Sequence, residues 1–220
     1  MKGKLIVIEG SDGSGKATQT KELYNKMLEK NYKIKKVEYP NYKSESSALI
    51  KMYLNGEFGS NPEDVNSYVS STFYAVDRFA SYKKDWEKFY NNGGIILADR
   101  YTTSNMIHQG AKIDDKCEKE KFLHWLWNFE FNKFKLPKPD CVIFLDMPPE
   151  YSVKLINDRN ENKDIHEKDI NYLVKSYKNA LYIMDKYNWL RIKCIKDGKL
   201  RTIKDIHNEI YNIIENLICS

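Results

Sequence analysis

Cysteine, proline and glycine are all scarce in this 220-residue chain, which has four, six and ten of them respectively. The cysteines are widely scattered and form no CxxC pair, so neither a disulfide framework nor a zinc site is expected. No linker, internal repeat or low-complexity tract divides the sequence. We therefore expect a single domain over residues 1–220, a length that one hydrophobic core can serve.

Long apolar runs are also absent, since none approaches the roughly 18 residues that cross a bilayer. The run from Leu5 to Ile8 is shorter than a signal-peptide core, which spans about 7–15 residues. We therefore expect a soluble, cytoplasmic protein that has no membrane partner. The net charge is +5, but the lysines are interspersed with acidic residues instead of forming a block. A nucleic-acid partner is accordingly not expected.

The sequence does contain short apolar runs that alternate with helical spacing. Runs bounded by turn residues predict buried strands at residues 4–9, 34–39, 95–98, 141–145 and 190–195. Apolar residues at helical intervals predict helices that begin at residue 16 and at residue 203, and further helices at residues 47–54 and 62–92. This alternation favours an α/β fold, a doubly wound parallel sheet flanked by helices, with ligands bound beyond the carboxyl ends of the strands.

A phosphate-binding loop is the strongest motif, because GSDGSGK matches GxxxxGK between a predicted strand and a predicted helix. Glycines let several backbone N–H groups converge on a phosphate at the positive end of the following helix. Lys16 supplies a positive charge for the β and γ oxygens. The motif predicts a P-loop NTPase-type fold and ATP binding by Gly10, Ser11, Asp12, Gly13, Ser14, Gly15, Lys16, Ala17 and Thr18.

One loop position departs from this motif, since Ala17 stands where a serine or threonine hydroxyl normally coordinates Mg²⁺. Thr18 cannot simply replace that hydroxyl, because adjacent helical residues point about 100° apart. We expect the Thr18 hydroxyl to lie near the α-phosphate instead.

The loop and its flanks, residues 9–19, resemble the thymidylate kinase family of P-loop nucleoside monophosphate kinases. Further stretches that resemble the family are residues 40–54, 74–78, 99–104 with the following Gln109 and Gly110, and 139–146. Together these stretches cover residues 4–190 in the family's order. The resemblance implies transfer of the γ-phosphoryl group of ATP to dTMP, giving ADP and dTDP, by a homodimer that uses Mg²⁺.

The resemblance also implies an acceptor-phosphate site directly after the third strand. Arg100 is expected to bind the phosphate, because a guanidinium fork fits phosphate oxygens and stays charged. Asp99 could hold a water molecule of the Mg²⁺ shell. Asp12 has no basic neighbour in the sequence, and the resemblance places it near the sugar hydroxyl of the acceptor. An Asx turn within the loop is the alternative.

For the base, the resemblance implies that Tyr74 stacks on thymine and that Arg78 lies near a carbonyl oxygen of the base. Phe73 is expected to face the core, since one of two neighbouring aromatic residues on a helix must do so. Ser104 and Gln109 could bind the pyrimidine edge or, alternatively, cap the next helix.

A short basic lid is expected at residues 154–168, whose composition is polar and charged. Arg159 is expected to act there with Lys16 and Arg100, because phosphoryl transfer depends on neutralising the charge of the equatorial oxygens. The resemblance gives Asp12 a further catalytic part, in orienting the attacking phosphate. Two positions depart from the family: Ile165 and the substrate-side Tyr42 each stand where relatives carry an arginine. A solvated charged helix is the alternative for this segment.

Two other functions remain open at this point. The pocket between Tyr42 and Gln109 could serve another nucleoside monophosphate or a deoxynucleoside. Alternatively, Ala17 and the weaker lid pattern would suit a P-loop protein that binds ATP without catalysis.

Overall fold

The centre of the fold is a parallel sheet. The computed structural model describes residues 2–158 and 169–219. Its main strands are β1 (Leu5–Gly10), β2 (Ile34–Glu38), β3 (Ile95–Asp99), β4 (Cys141–Asp146) and β5 (Leu190–Lys193). They form a five-stranded sheet in the order β2-β3-β1-β4-β5, and all adjacent pairs are parallel. The predicted strands are therefore confirmed, as is the doubly wound class.

Helices cover both faces of this sheet. The described helices are α1 (Lys16–Glu29), α2 (Ala48–Leu54), α3 (Ser67–Ser81), α4 (Glu87–Asn91), α5 (Thr102–His108), α6 (Lys116–Trp127), α7 (Pro149–Asn157), α8 (Ile170–Lys186) and α9 (Ile203–Cys219). A short hairpin, β6 (Ile195–Lys196) and β7 (Lys199–Leu200), precedes α9. Within residues 2–158 and 169–219, no helix is long and apolar enough to cross a membrane.

The side chains of β1 alternate between two cores. Leu5 and Val7 pack in one core with the aromatic residues that follow α3 and with apolar side chains of α6. Ile6 and Ile8 pack in the other core with residues of α1 and α9. All four side chains are fully buried, which explains why the strand reads as a continuous apolar run instead of an alternating one.

The segment at residues 62–92, predicted as one helix, is divided. A 3₁₀ turn at Pro62–Asp64 is followed by the extended residue Val65, and α3 begins only after Asn66. The Asn66 side chain accepts a hydrogen bond from the backbone N–H of Val69 at 2.9 Å. This N-cap starts a new helix where periodicity alone predicted continuity. A π turn at Tyr82–Trp86 then separates α3 from α4.

Helix α5 has no counterpart among the predicted elements. All of its residues are buried, including Thr103, Ser104 and Asn105, so it carries no alternation of apolar and polar faces that a periodicity argument could detect.

A buried ion pair joins α3 to the π turn that follows α6, at Asn128–Lys133. The Arg78 Nε and Nη2 atoms donate to Glu130 at 2.7 and 2.5 Å, and the Thr102 hydroxyl donates to the same carboxylate at 2.7 Å. Arg78 and Glu130 are 1% and 0% exposed. Burial opposes the charge of Arg78, but the Glu130 carboxylate raises its pKa above the usual range, so Arg78 stays charged.

The ion pair gives a first prediction about stability. Glu130→Ala should lower the free energy of unfolding by about 3–5 kcal/mol, because it leaves the Arg78 charge buried and unpaired. Urea unfolding followed by circular dichroism measures this loss. The double variant Arg78→Met/Glu130→Leu should recover most of it. A double variant as unstable as the single one would show that the cost is lost packing.

Candidate active site

The loop after β1 has the backbone of a phosphate cradle. Gly13 and Gly15 have φ angles of 74° and 82°, in the left-handed region that favours glycine. A Cβ at Gly13 would also lie 2.5 Å from the carbonyl oxygen of Ser152 on α7. Gly15 is the N-cap of α1, so the loop leads directly into the positive end of a 14-residue helix.

Lys16 is held inside this loop by contacts with the protein. Its Nζ donates to the Ser11 carbonyl oxygen at 2.8 Å and lies 4.0 Å from Asp12 Oδ1. Burial, with the nearby Arg100 charge as the second cause, lowers the pKa of Lys16 to about 8. Ala17 and Thr18 are exposed on the first turn of α1.

The carboxylate of Glu9 joins β1 to the turn after β3. It is 0% exposed and accepts hydrogen bonds from the Tyr101 backbone N–H at 3.2 Å and from the Thr103 and Ser104 hydroxyls at 2.6 and 2.9 Å. Burial raises the pKa of Glu9, while Arg100 and these hydroxyls oppose the rise. Glu9 therefore fixes the residues that directly follow Arg100.

Arg100 directly follows β3 with a φ of 67°, an uncommon value for a residue with a side chain. Its guanidinium donates to Asp12, to the His108 ring at 2.9 Å and to the Ser104 hydroxyl at 3.4 Å. Burial opposes its charge, but Asp12, the strongest favourable partner, raises the pKa of Arg100 above the usual range. Asp12, which has no basic neighbour in the sequence, is brought by the fold to an arginine 88 residues away.

A cleft opens beside Arg100. The residues predicted on the acceptor side all line it: Asp12, Tyr42, Tyr74, Arg78, Arg100, Ser104 and Gln109. Sequence reasoning missed the other lining residues: Tyr39, Pro40, Leu54, Tyr101, Asn105 and His108. A helical spacing of four places Ser104 and His108 on one face of α5, a signal that could have revealed His108.

The neighbouring aromatic residues of α3 have different surroundings. Tyr74 lines the cleft, whereas the Phe73 ring lies 5.9 Å from the ring of Phe58, centroid to centroid. Phe73 and Tyr74 are both partly buried against the cluster formed by Ile50, Tyr53 and Leu54. The difference between the two residues is that Tyr74 lines the cleft and Phe73 does not.

Polar lining residues are held by the surrounding protein. The Ser104 hydroxyl donates to Glu9, and Gln109 Oε1 accepts from the Ser70 hydroxyl at 2.7 Å. Ser104 lies inside α5, and the Gln109 side chain makes no capping hydrogen bond, so the capping alternative was wrong. Arg78 faces the cleft while its Nε and Nη2 are bound to Glu130.

The acidic residues near the loop differ in their availability to a metal ion. Asp99 ends β3, and burial raises its pKa while Lys16 opposes the rise. Asp146 ends β4, where it accepts from Tyr177 at 2.8 Å and from Arg191 at 2.9 Å. Among the described residues, no group of three His, Cys, Asp or Glu side chains could hold a metal. An ion that takes its ligands mainly from phosphates and water would suit this donor set.

The predicted lid lies only partly within the described structure. Residues up to Asn157 belong to α7. Arg159 and Ile165, with the rest of residues 159–168, lie outside the described residues.

The fold and the loop together define a P-loop phosphotransferase architecture: a parallel sheet with a glycine-rich phosphate loop between β1 and α1, and a cationic cleft at the end of the adjacent β3. A family model described as thymidylate kinase matches residues 8–210. The chain belongs to the thymidylate kinase family.

Its relatives cover nearly the whole chain. A probable thymidylate kinase of Pyrococcus horikoshii is 29% identical over 98% of both chains. The thymidylate kinase of Plasmodium falciparum is 27% identical over 95% of this chain and 88% of the relative. A solved thymidylate kinase structure from Candida albicans has a TM-score of 0.72 at 22% identity, over 98% of this chain and 92% of that one. That structural likeness supports the fold.

Lys112, behind the cleft, gives a prediction about pH. Its Nζ donates to the Tyr53 hydroxyl at 2.8 Å and the Val65 carbonyl oxygen at 2.9 Å, and burial lowers the pKa of Lys112 to about 7. The unfolded chain keeps this proton up to about pH 10.4. The native state therefore gains stability from this group as pH rises above 7.

Lys112→Met removes this titration. The stability of the wild-type protein relative to Lys112→Met should rise by about 1–2 kcal/mol between about pH 6 and about pH 8.5. Urea unfolding at each pH measures it. Lys116→Met, at an exposed lysine, is the control and should parallel the wild type. A constant difference between wild type and Lys112→Met would mean that Lys112 does not titrate in this range.

Proposed function

We propose that this protein transfers the γ-phosphoryl group of ATP to dTMP, giving ADP and dTDP. The family assignment supports this reaction. The observation that carries the proposal is the contact between Asp12 of the phosphate loop and Arg100 of the cleft. It joins a site for a nucleoside triphosphate to a site for an anionic acceptor.

On the donor side, the loop from Gly10 to Thr18 would hold the phosphates through backbone N–H groups and the start of α1. Lys16 would leave the Ser11 carbonyl oxygen and place its charge on the β and γ oxygens. Mg²⁺, when bound, would neutralise further charge there, with Asp99 holding it through water. The methyl group of Ala17 leaves one more coordination position for water or phosphate.

On the acceptor side, Arg100 would bind the phosphate of dTMP and Asp12 would meet the sugar hydroxyl. The base would stack on Tyr74, with Arg78, Ser104 and Gln109 along its edge and Tyr42 at the phosphate end. Catalysis would depend on Lys16, Asp12 and Arg100 together with Arg159 from outside the described residues. Each group acts by neutralising charge or by aligning the attacking oxygen with the γ phosphorus.

A turnover assay with ATP and Mg²⁺ against dTMP, dUMP, dCMP and dGMP tests this proposal. We expect dTMP to give the highest kcat/KM, and Lys16→Ala to lower the rate more than about tenfold, a loss above 1.4 kcal/mol. Lys21→Ala, at an exposed lysine of α1, should keep the wild-type rate. Preference for another monophosphate would reassign the acceptor, and no transfer to any of them would refute kinase activity.

The two aromatic residues of α3 provide a matched pair. Tyr74→Ala should weaken dTMP binding by about 1–3 kcal/mol, the range measured for stacking of a base on an aromatic ring. Phe73→Ala should chiefly lower the midpoint of thermal unfolding, because it removes packing against Phe58. Calorimetric titration with dTMP and thermal scans of both variants measure the two effects. The reverse pattern would place Phe73 at the base.

We further propose that the active species is a homodimer formed through α3. Val69, Val76 and Phe79 are 44%, 47% and 39% exposed, and their spacing of seven and three residues places them on one face of the helix. This apolar stripe would be covered by the same stripe of a second copy, as a twofold interface requires.

Light scattering after gel filtration tests the dimer. The wild-type protein should have about twice the mass of one chain as a twofold dimer, and Val76→Glu should be monomeric at the same concentration. Leu28→Glu, which changes an exposed apolar residue of α1, should leave the mass unchanged. A wild-type monomer, or a dimer that Val76→Glu leaves intact, would contradict the proposed interface.

The cytoplasm is the proposed location of this reaction. The thiols of Cys117, Cys141 and Cys194, which are the cysteines whose side chains are described, form no disulfide. This pattern suits a reducing compartment. Fractionation of the native cells with an antibody against the protein would test it.

A further inference from the structure

His108 occupies the last turn of α5 and lines the cleft. It is 7% exposed and lies beside Arg100. The family resemblance gave this residue no role. Its surroundings nonetheless determine which form of the imidazole ring can exist there.

The contact between Arg100 and His108 has a defined direction. Arg100 Nη1 lies 2.9 Å from His108 Nε2. A guanidinium nitrogen can only donate a hydrogen bond, so Nε2 must accept one. An imidazole that accepts through Nε2 is neutral and carries its proton on Nδ1. The geometry therefore requires the neutral Nδ1–H tautomer of His108.

This acceptor completes a set of contacts around the guanidinium. Nη1 donates to His108 and, at the longer distance of 3.4 Å, to Ser104, while Nη2 donates to Asp12. Asp12 lies on the phosphate loop and His108 on α5, so the planar group is held from two elements. Two fixed partners on different nitrogens determine the plane of the guanidinium and the directions of its remaining N–H groups.

His108 is itself held in place from behind. The Tyr172 ring on α8 lies 6.4 Å from the imidazole, centroid to centroid, at an interplanar angle of 25°. The Tyr172 hydroxyl donates to the His108 carbonyl oxygen at 2.9 Å. Asn179, also on α8, donates to the carbonyl oxygen of Ile107 at 2.7 Å. Helix α8 thus fixes both the backbone and the ring face at this turn.

The charged and titratable groups around His108 come from several elements. Arg100 follows β3 and contacts the ring directly. Asp12 on the loop binds the same guanidinium, and Glu9 on β1 binds the neighbouring Ser104. Tyr172 faces the ring from α8. A proton added to Nε2 would remove the acceptor and place a second cation against Arg100.

We propose that His108 is a positioning residue of the acceptor site: as a neutral imidazole it accepts a hydrogen bond from Arg100 and aims the guanidinium at the acceptor phosphate. The inference rests on the proposed function, because it assigns Arg100 to that phosphate.

Two variants of His108 separate positioning from packing. His108→Gln keeps an acceptor oxygen near the place of Nε2, whereas His108→Phe keeps a ring but has no acceptor. His108→Phe should raise the KM for dTMP about tenfold, the effect of losing a hydrogen bond to a charged group, and leave the KM for ATP unchanged. His108→Gln should stay within about threefold of the wild type. Equal effects of the two variants, or an equal rise for ATP, would overturn the proposal.

The tautomer can be observed without any turnover. Long-range ¹H–¹⁵N spectra of the labelled protein at neutral pH should show an unprotonated Nε2 for His108, identified by the signals that disappear in His108→Gln. A protonated Nε2 would overturn the inference even if dTMP is the substrate. If dTMP is not phosphorylated while Nε2 is unprotonated, the contact with Arg100 stands, and both the proposed function and the acceptor-site role of His108 are refuted.

Discussion

The buried carboxylate of Glu9 is the constraint on which the site depends. It accepts hydrogen bonds from Tyr101, Thr103 and Ser104, so the end of β1 and the turn after β3 cannot move independently. Arg100 adopts its left-handed backbone inside that turn. The geometry of the cleft therefore follows from one buried anion, whose desolvation is offset by three hydrogen bonds and by the nearby Arg100 and Lys16 charges.

The cations of the site have close anionic partners. Lys16 and Arg100 lie among Glu9, Asp12 and Asp99, whose charges act to raise the pKa values of both cations. Asp12 contacts both cations. These carboxylates therefore offset part of the cost of burying the two positive charges.

The sheet and the phosphate loop could be predicted from local patterns. A strand buried on both faces appears as one continuous apolar run, and a glycine-rich turn appears as one short motif. The residues expected on the acceptor side could be predicted only through the family resemblance, and all seven of them line one cleft. Contacts between distant segments were not predictable. Asp12 and Arg100 are 88 residues apart, Arg78 and Glu130 are 52 apart, and neither pair leaves a periodic signal. Helix α5 was not predicted because all of its residues are buried. Its sequence therefore lacks the alternation of apolar and polar faces by which a helix is recognised.

The pairing of Arg78 with Glu130 makes one side of the cleft rigid. Arg78 uses two nitrogens on a fully buried carboxylate, so its rotamer is fixed when the chain folds. A ligand that met this guanidinium would lose little side-chain entropy. Glu130, which does not line the cleft, would thus contribute to molecular recognition by holding its neighbour in one rotamer.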